Sequence, residues 1–205
     1  MRSVLAFGDS LTWGSSPGIS ERHSFEDRWP NELASKLNDC DVISEGLRGR
    51  TTCFSQPTSP AEMSGSVMLP SLLHSHAPID VVAIMLGSND LYLGIPATRA
   101  AKGLARLVEQ VQHHPSRLDQ PVAPKIVLMA PPHMVESAMG DVSDAMIAQT
   151  RLYSTLVEGL ARDTECSFFD TAAVSVASEK DGIHLDAANT CAIGEALAPI
   201  IRDLL

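Results

Sequence analysis

Aromatic side chains are scarce in this sequence: two Trp, two Tyr and five Phe, 4% of 205 residues. Proteins that stack nucleobases build their platforms from such rings, so that scarcity argues against a single-stranded nucleic acid as partner. Positive charge is also in short supply. Lys and Arg total 15 against 25 Asp and Glu, a formal charge of −10, and a surface of that sign repels polyphosphate. No apolar run approaches the ~20 residues that cross a bilayer. The apolar stretch after Met1 is shorter than the roughly 7–15-residue core of a secretion signal. The chain therefore reads as cytoplasmic, with neither nucleic acid nor membrane as partner. Paired cysteines are missing as well. Cys40, Cys53, Cys166 and Cys191 are scattered without a CxxC, which reads as four free thiols behaving as small hydrophobes rather than as disulfides or a zinc site. His74 and His76, two apart, point away from each other on a helix and make no metal pair. The nucleotide fingerprints GxxxxGK[ST] and GxGxxG do not occur.

What is present is 44% hydrophobic residues, enough for one sizeable core, and residues 1–205 read as a single domain. Short apolar runs alternate with helical patterns. Val4 to Phe7, Asp41 to Ser44, Asp80 to Leu86, Lys125 to Ala130 and a weaker Ser167 to Phe169 read as five strands. Their continuous apolarity means that both faces are covered, as in a parallel sheet. Arg28 to Leu37, Ala97 to His113, Asp144 to Arg162 and Ala187 to Leu204 carry apolar residues at helical spacing, with Pro199 expected to kink or end the last of them. Strand alternating with helix predicts an α/β fold, a three-layer α/β/α sandwich around a five-stranded parallel sheet. Right-handed crossovers make 2-1-3-4-5 the expected order. Residues 54–70, rich in Ser, Pro and Met, read as a long irregular loop near the site, with Met63, Met68 and Leu69 as candidates to line an apolar entrance.

Sites in such sheets form where loops leave the carboxyl ends of the strands. Four polar pieces fall into those loops or near the C-terminus: "GDSLTWG", "EGLRGRTT", "LGSND" and "DGIHLD". Each alone has an ordinary structural explanation, as a turn, a helix cap or a tight strand exit. Together they hold the parts of an acyl-transfer site. Ser10 is a nucleophile that needs a base, and His184 is the candidate. The imidazole needs a carboxylate on its Nδ1 side, and Asp181 reaches it from the same loop through a turn at Gly182. An oxyanion needs donors, for which the Ser10 N–H, a glycine N–H at Gly49 and the Asn89 side-chain amide lie on suitable loops.

The four blocks, in this order and spanning the chain, resemble the signature blocks of the GDSL or SGNH hydrolases, with Ser10, Gly49, Asn89 and His184 at the four name-giving positions. The resemblance implies Ser10 as nucleophile, His184 as base, Asp181 as orienting acid, and an oxyanion hole of Ser10, Gly49 and Asn89, with no metal or organic cofactor. Gly49 is chosen over Gly46 because the family's glycine precedes a polar residue and then threonine. Asp9 is implied to be structural. "GDSLTWG", "EGLRGRTT", "IMLGSND" and "DGIHLDAAN" are more similar still to a bacterial arylesterase and acyltransferase branch. That likeness implies a small-molecule short-chain or aryl ester as substrate, acyl transfer to alcohols besides hydrolysis, and a homo-oligomer. "SPGISERHSFEDRWP" and a compact stretch between Leu91 and Thr98 depart from that branch. Trp13 is either a wall of the substrate pocket or a packed aromatic; Trp29 is assigned to packing, and Arg48 and Arg50 either touch the site or pair with Glu45, surface pairing being preferred. A carbohydrate deacetylase, a lysophospholipase or a thioesterase would share the same residues. A flavodoxin-like cofactor-binding module, cradling phosphate on Ser10 to Ser15, is a more distant alternative because it leaves Asn89, Asp181 and His184 without a role.

Overall fold

A computed structural model describes residues 2–19, 21–114 and 122–205. Five parallel strands, β1 (Arg2–Gly8), β2 (Cys40–Gly46), β3 (Val81–Met85), β4 (Lys125–Ala130) and β5 (Ser167–Asp170), lie in the order β2-β1-β3-β4-β5. The expected topology is the observed one. Alternation explains why the strands look uniformly apolar. Leu5 and Phe7 face one side with Val82, Ile84 and Leu128, whereas Val4 and Ala6 face the other with Val81, Ala83 and Val127. Each face is then covered by helices.

Helices α2 (Trp29–Lys36) and α7 (Ala187–Leu204) cover one face, through Trp29, Leu33, Ile193 and Leu197. Trp29 is fully buried, as assigned. Helices α3 (Gly65–Ser75), α5 (Ala97–Gln112) and α6 (Asp144–Asp163) cover the other, through Leu69, Leu104, Leu107 and Val157. Two short helices, α1 (Ser10–Trp13) and α4 (Ser88–Tyr92), follow β1 and β3 directly. Local signals start the long helices. Ser143 accepts a hydrogen bond from the Met146 N–H ahead of α6, and Asp186 accepts one from Asn189 N–H ahead of α7, the side-chain capping that satisfies otherwise orphaned donors.

Two expectations need correction, and both concern proline. The last six residues of the expected loop, 65–70, belong instead to α3, with Pro70 inside the helix. The carbonyl four residues back, Ser66, loses its N–H partner there and instead accepts Gln110 Nε2 from α5 at 2.7 Å. That bond offsets part of the loss that makes interior proline unfavourable. Leu69 is consequently core rather than entrance, with no exposed surface. Of the two outcomes expected at Pro199, a kink or an end, the end does not occur, and α7 continues to Leu204. Both Pro199 and Glu195, whose carbonyl it deprives, lie on the exposed side where water can replace the lost bond.

Candidate active site

Because all five strands run parallel, β1, β2 and β3 deliver their next residues to the same edge of the sheet. Gly8 closes β1 where no side chain fits: a Cβ there would stand 2.0 Å from Thr12 Oγ1 and 2.8 Å from the Met85 carbonyl oxygen. The chain then turns sharply into α1. Asp9 caps that helix, its Oδ1 accepting the Leu11 N–H at 2.9 Å, and Ser10 is presented at the first helical position.

His184 arrives from the far end of the sequence, in the segment before α7. Its Nε2 lies 2.9 Å from Ser10 Oγ and its Nδ1 2.9 Å from Asp181 Oδ2. An ionised carboxylate can only accept, so Nδ1 carries the proton and Nε2 turns its lone pair toward the serine hydroxyl. Asp181 is held from four directions. Its Oδ1 accepts the N–H groups of Ile183 (3.1 Å) and His184 (2.9 Å), and its Oδ2 also accepts Gly18 N–H at 2.7 Å. Burial pushes this carboxyl up, but the hydrogen bonds from the His184 and Gly18 amides, the imidazole and the Ile183 amide outweigh it. The net result lies below the usual carboxylate range, favouring the ionised form. Gly182 makes the turn between acid and base, with φ at +73°.

The expected oxyanion donors converge on the same place. Asn89 begins its position one residue into α4, and the Gly49 turn follows β2 with φ at +83°. Ser10, Gly49, Asn89 and His184 line one cleft. Neither the Ser10 N–H nor the Gly49 N–H is given to a protein acceptor among the described residues. Asn89 differs: its Nδ2 donates to the Arg50 carbonyl at 3.0 Å and to Asp9 Oδ2 at 3.2 Å.

Beneath these groups lies a buried polar layer whose extent the sequence reading missed. Arg50 is not a surface residue paired with Glu45; it is 2% exposed. Its Nη1 donates to the carbonyls of Gly8 (2.8 Å) and Glu45, and its guanidinium lies over the Phe7 ring. It ties the ends of β1 and β2 together. The Glu45 carboxylate pairs with His76 instead, at 2.9 Å. Asp90 is fully buried and accepts the Thr52 N–H at 3.0 Å and the Thr52 hydroxyl at 2.5 Å. Burial raises Asp9 to about 7 and Asp90 to about 6, against the hydrogen bonds that pull each down. On α6, Tyr153 hydrogen-bonds the Leu86 carbonyl at 3.0 Å and steadies the exit of β3. The Gly18 contact and the burial of Arg50 left no local signal in the sequence, since Gly18 meets Asp181 163 residues away and Arg50 meets Gly8 42 residues away.

Two clefts meet at Ser10. One, of about 430 Å³, is lined by Tyr92, Met139, Asp141, Ile183 and His184. The other, of about 730 Å³, is lined by Trp13, Arg48, Gly49, Met63 and His184. Trp13 thus stands in a cleft wall rather than in the core, and Met63, itself buried, lines the same cleft. Ile19, from the "SPGISERHSFEDRWP" segment, borders both clefts. Among the described residues no group of three His, Cys, Asp or Glu could hold a metal ion, and the four cysteines are free. No helix is long and apolar enough to cross a membrane. A phosphate at the start of α1 would compete with the Asp9 carboxylate for the Leu11 N–H, which weighs against a cofactor-phosphate cradle.

Comparison with known proteins agrees with this geometry. The model of the GDSL-like Lipase/Acylhydrolase family matches residues 6–189. A carbohydrate acetylesterase family member from Sinorhizobium meliloti is 39% identical, with a TM-score of 0.95 over 100% of this chain and 99% of that one. The M. smegmatis aryl esterase is 35% identical, with a TM-score of 0.92 over 100% of both chains. Est24, a carbohydrate acetylesterase from S. meliloti, is 35% identical, with a TM-score of 0.93 over 100% of both. Comparison with the curated proteins finds no match.

Proposed function

The chain belongs to the GDSL-like lipase/acylhydrolase family and is an ester hydrolase of the SGNH type; from that premise we propose that it cleaves short-chain or aryl carboxylic esters through an acyl-serine at Ser10. The observation that carries this reading is the unbroken line of hydrogen-bonding groups Ser10 Oγ, His184 imidazole and Asp181, at 2.9 Å for each step.

Ser10 Oγ attacks the ester carbonyl carbon while His184 Nε2 takes the hydroxyl proton. Asp181, kept ionised by its four donors, stabilises the imidazolium and fixes the tautomer. The carbonyl oxygen gains negative charge and accepts the N–H groups of Ser10 and Gly49 and one hydrogen of the Asn89 amide. Asn89 shares the hydrogen it gives to Asp9, its longer bond, and keeps the one to the Arg50 carbonyl. His184 then hands its proton to the departing alkoxide, leaving acyl-Ser10. Water, deprotonated by His184, releases the carboxylic acid and restores the serine. An alcohol entering in place of water gives acyl transfer instead.

The acetylesterase and aryl esterase relatives support acetyl-type or aryl substrates over long acyl chains. A chain-length series of p-nitrophenyl esters, run beside acetylated sugars, tests this directly. Acetyl and butyryl esters are expected to be cleaved fastest, and Ser10→Ala to lose nearly all turnover with an unchanged circular dichroism spectrum. A preference for long acyl chains would transfer the assignment to a lysophospholipase or thioesterase, and undiminished cleavage by Ser10→Ala would remove the nucleophile. We further propose that the protein is cytoplasmic and a homo-oligomer. Ile19, Tyr92 and Met139, exposed apolar residues that line a cleft, support the latter, which light scattering checks.

A further inference from the structure

Two guanidinium groups flank Trp13 in a chain whose net charge is −10. Arg22 stands 4.6 Å and Arg48 4.8 Å from the indole centroid. Arg22 is fixed by its Nε, which donates to the Trp13 carbonyl at 2.6 Å. Arg48 lines the larger cleft itself, with Ser10, Gly49 and Asn89. Among the described residues neither makes a salt bridge, and Glu45, the acid shortly before Arg48 in sequence, is engaged by His76. The smaller cleft has the opposite sign, since Asp141 and Asp181 line it.

A guanidinium over an aromatic ring spends its face on the stack and keeps its in-plane N–H fork free. That fork matches a carboxylate in spacing and charge. Stacking also removes much of the flexibility that makes exposed arginines weak partners. Resting on the ester-hydrolase reading above, we propose that Arg48, held on Trp13 beside Arg22, makes this cleft selective for esters that carry a carboxylate on the part lying in it. The neutral wall formed by Met63 and the indole takes the body of that group, and Arg48 takes its charged end.

The test uses two substrate pairs, each differing by one charge. Para-acetoxybenzoate and para-acetoxybenzamide carry the difference on the alcohol side. The mono-p-nitrophenyl ester of glutaric acid and the corresponding glutaramic ester carry it on the acyl side. The quantity read is the ratio of kcat/KM, anionic over neutral, within each protein, so that any general change in rate cancels. In one of the two pairs, Arg48→Gln is expected to lower the ratio about five- to tenfold, Arg48→Lys to keep part of it, and Arg48→Glu to lower it further. About 0.5 M salt should compress the wild-type ratio toward that of Arg48→Gln. The pair that responds identifies which portion of the ester occupies the cleft. Ratios equal within about twofold across wild type, Arg48→Gln and Arg48→Glu in both pairs would overturn the proposal and leave Arg48 as a packing partner of Trp13. Turnover of p-nitrophenyl acetate by the wild type, measured alongside, separates that failure from failure of the esterase reading.

Discussion

The Asn89 amide has two hydrogens and, at rest, two acceptors: Asp9 Oδ2 and the Arg50 carbonyl. On the proposed mechanism it serves the fold and the reaction together. Asn89→Ala is expected to lower kcat by about 10²–10³, the scale for loss of one oxyanion donor, and also to lower Tm, because two acceptors lose a partner. A lower Tm with normal kcat would make Asn89 purely structural. The acids around it respond to pH in opposite directions. Asp181 is depressed, so it adds stability above its unfolded pKa that is lost as pH falls through the folded value. Asp90 is raised to about 6. Between the ordinary carboxylate range and that value, folded protein keeps a proton that unfolded chain releases, so this residue's contribution to stability falls as pH rises. Urea midpoints of wild type and Asp90→Asn should hence diverge in the variant's favour from about pH 4 to pH 7. A difference that stays constant over that range would contradict burial as the cause.

At the scale of elements, the strand exits carry the most constraint. Gly87, between β3 and α4, has φ at +122°, and a Cβ there would stand 2.3 Å from the Tyr153 ring. Gly87→Ala combines a conformation that side chains rarely adopt with a clash against a fully buried aromatic. A loss of about 3 kcal/mol or more is expected in urea unfolding, with kcat reduced because Asn89 is two residues away; unchanged stability would mean that Tyr153 can move freely. These exits also show what a sequence can reveal. The strands and the long helices were legible because their burial is periodic within a few residues: Val4 to Phe7 alternate between faces, and Leu104, Leu107, Val108 and Val111 mark one side of α5. Helix α3 was hidden by Pro70, since the partner that makes the proline tolerable, Gln110, lies 40 residues downstream. The same non-locality hid Arg50, whose flanking residues look like any polar loop. Its burial becomes apparent only when the ends of β1 and β2 are brought side by side.

Across the whole molecule, the parallel sheet is what allows a residue near the start of the chain to meet one near its end. Its carboxyl edge gathers Ser10, Gly49 and Asn89 from three successive strand exits, and α7 packs on the sheet so that the segment ahead of it delivers His184. The "SPGISERHSFEDRWP" segment closes the circuit, with Gly18 N–H on Asp181 and His23 Nε2 2.8 Å from the Leu185 carbonyl oxygen. Ser10, His184 and Asp181 were legible as chemistry from their motifs, whereas the Gly18 contact was not, because a backbone N–H leaves no mark in a sequence. The most direct measurement is mass spectrometry of enzyme quenched with acid during turnover of p-nitrophenyl acetate, with His184→Ala run beside it. Wild type should carry one acetyl group on the peptide containing Ser10, and His184→Ala should carry little or none. Ester cleavage with the acetyl group on another residue, or equal acetylation of Ser10 in both proteins, would contradict a serine activated by this histidine.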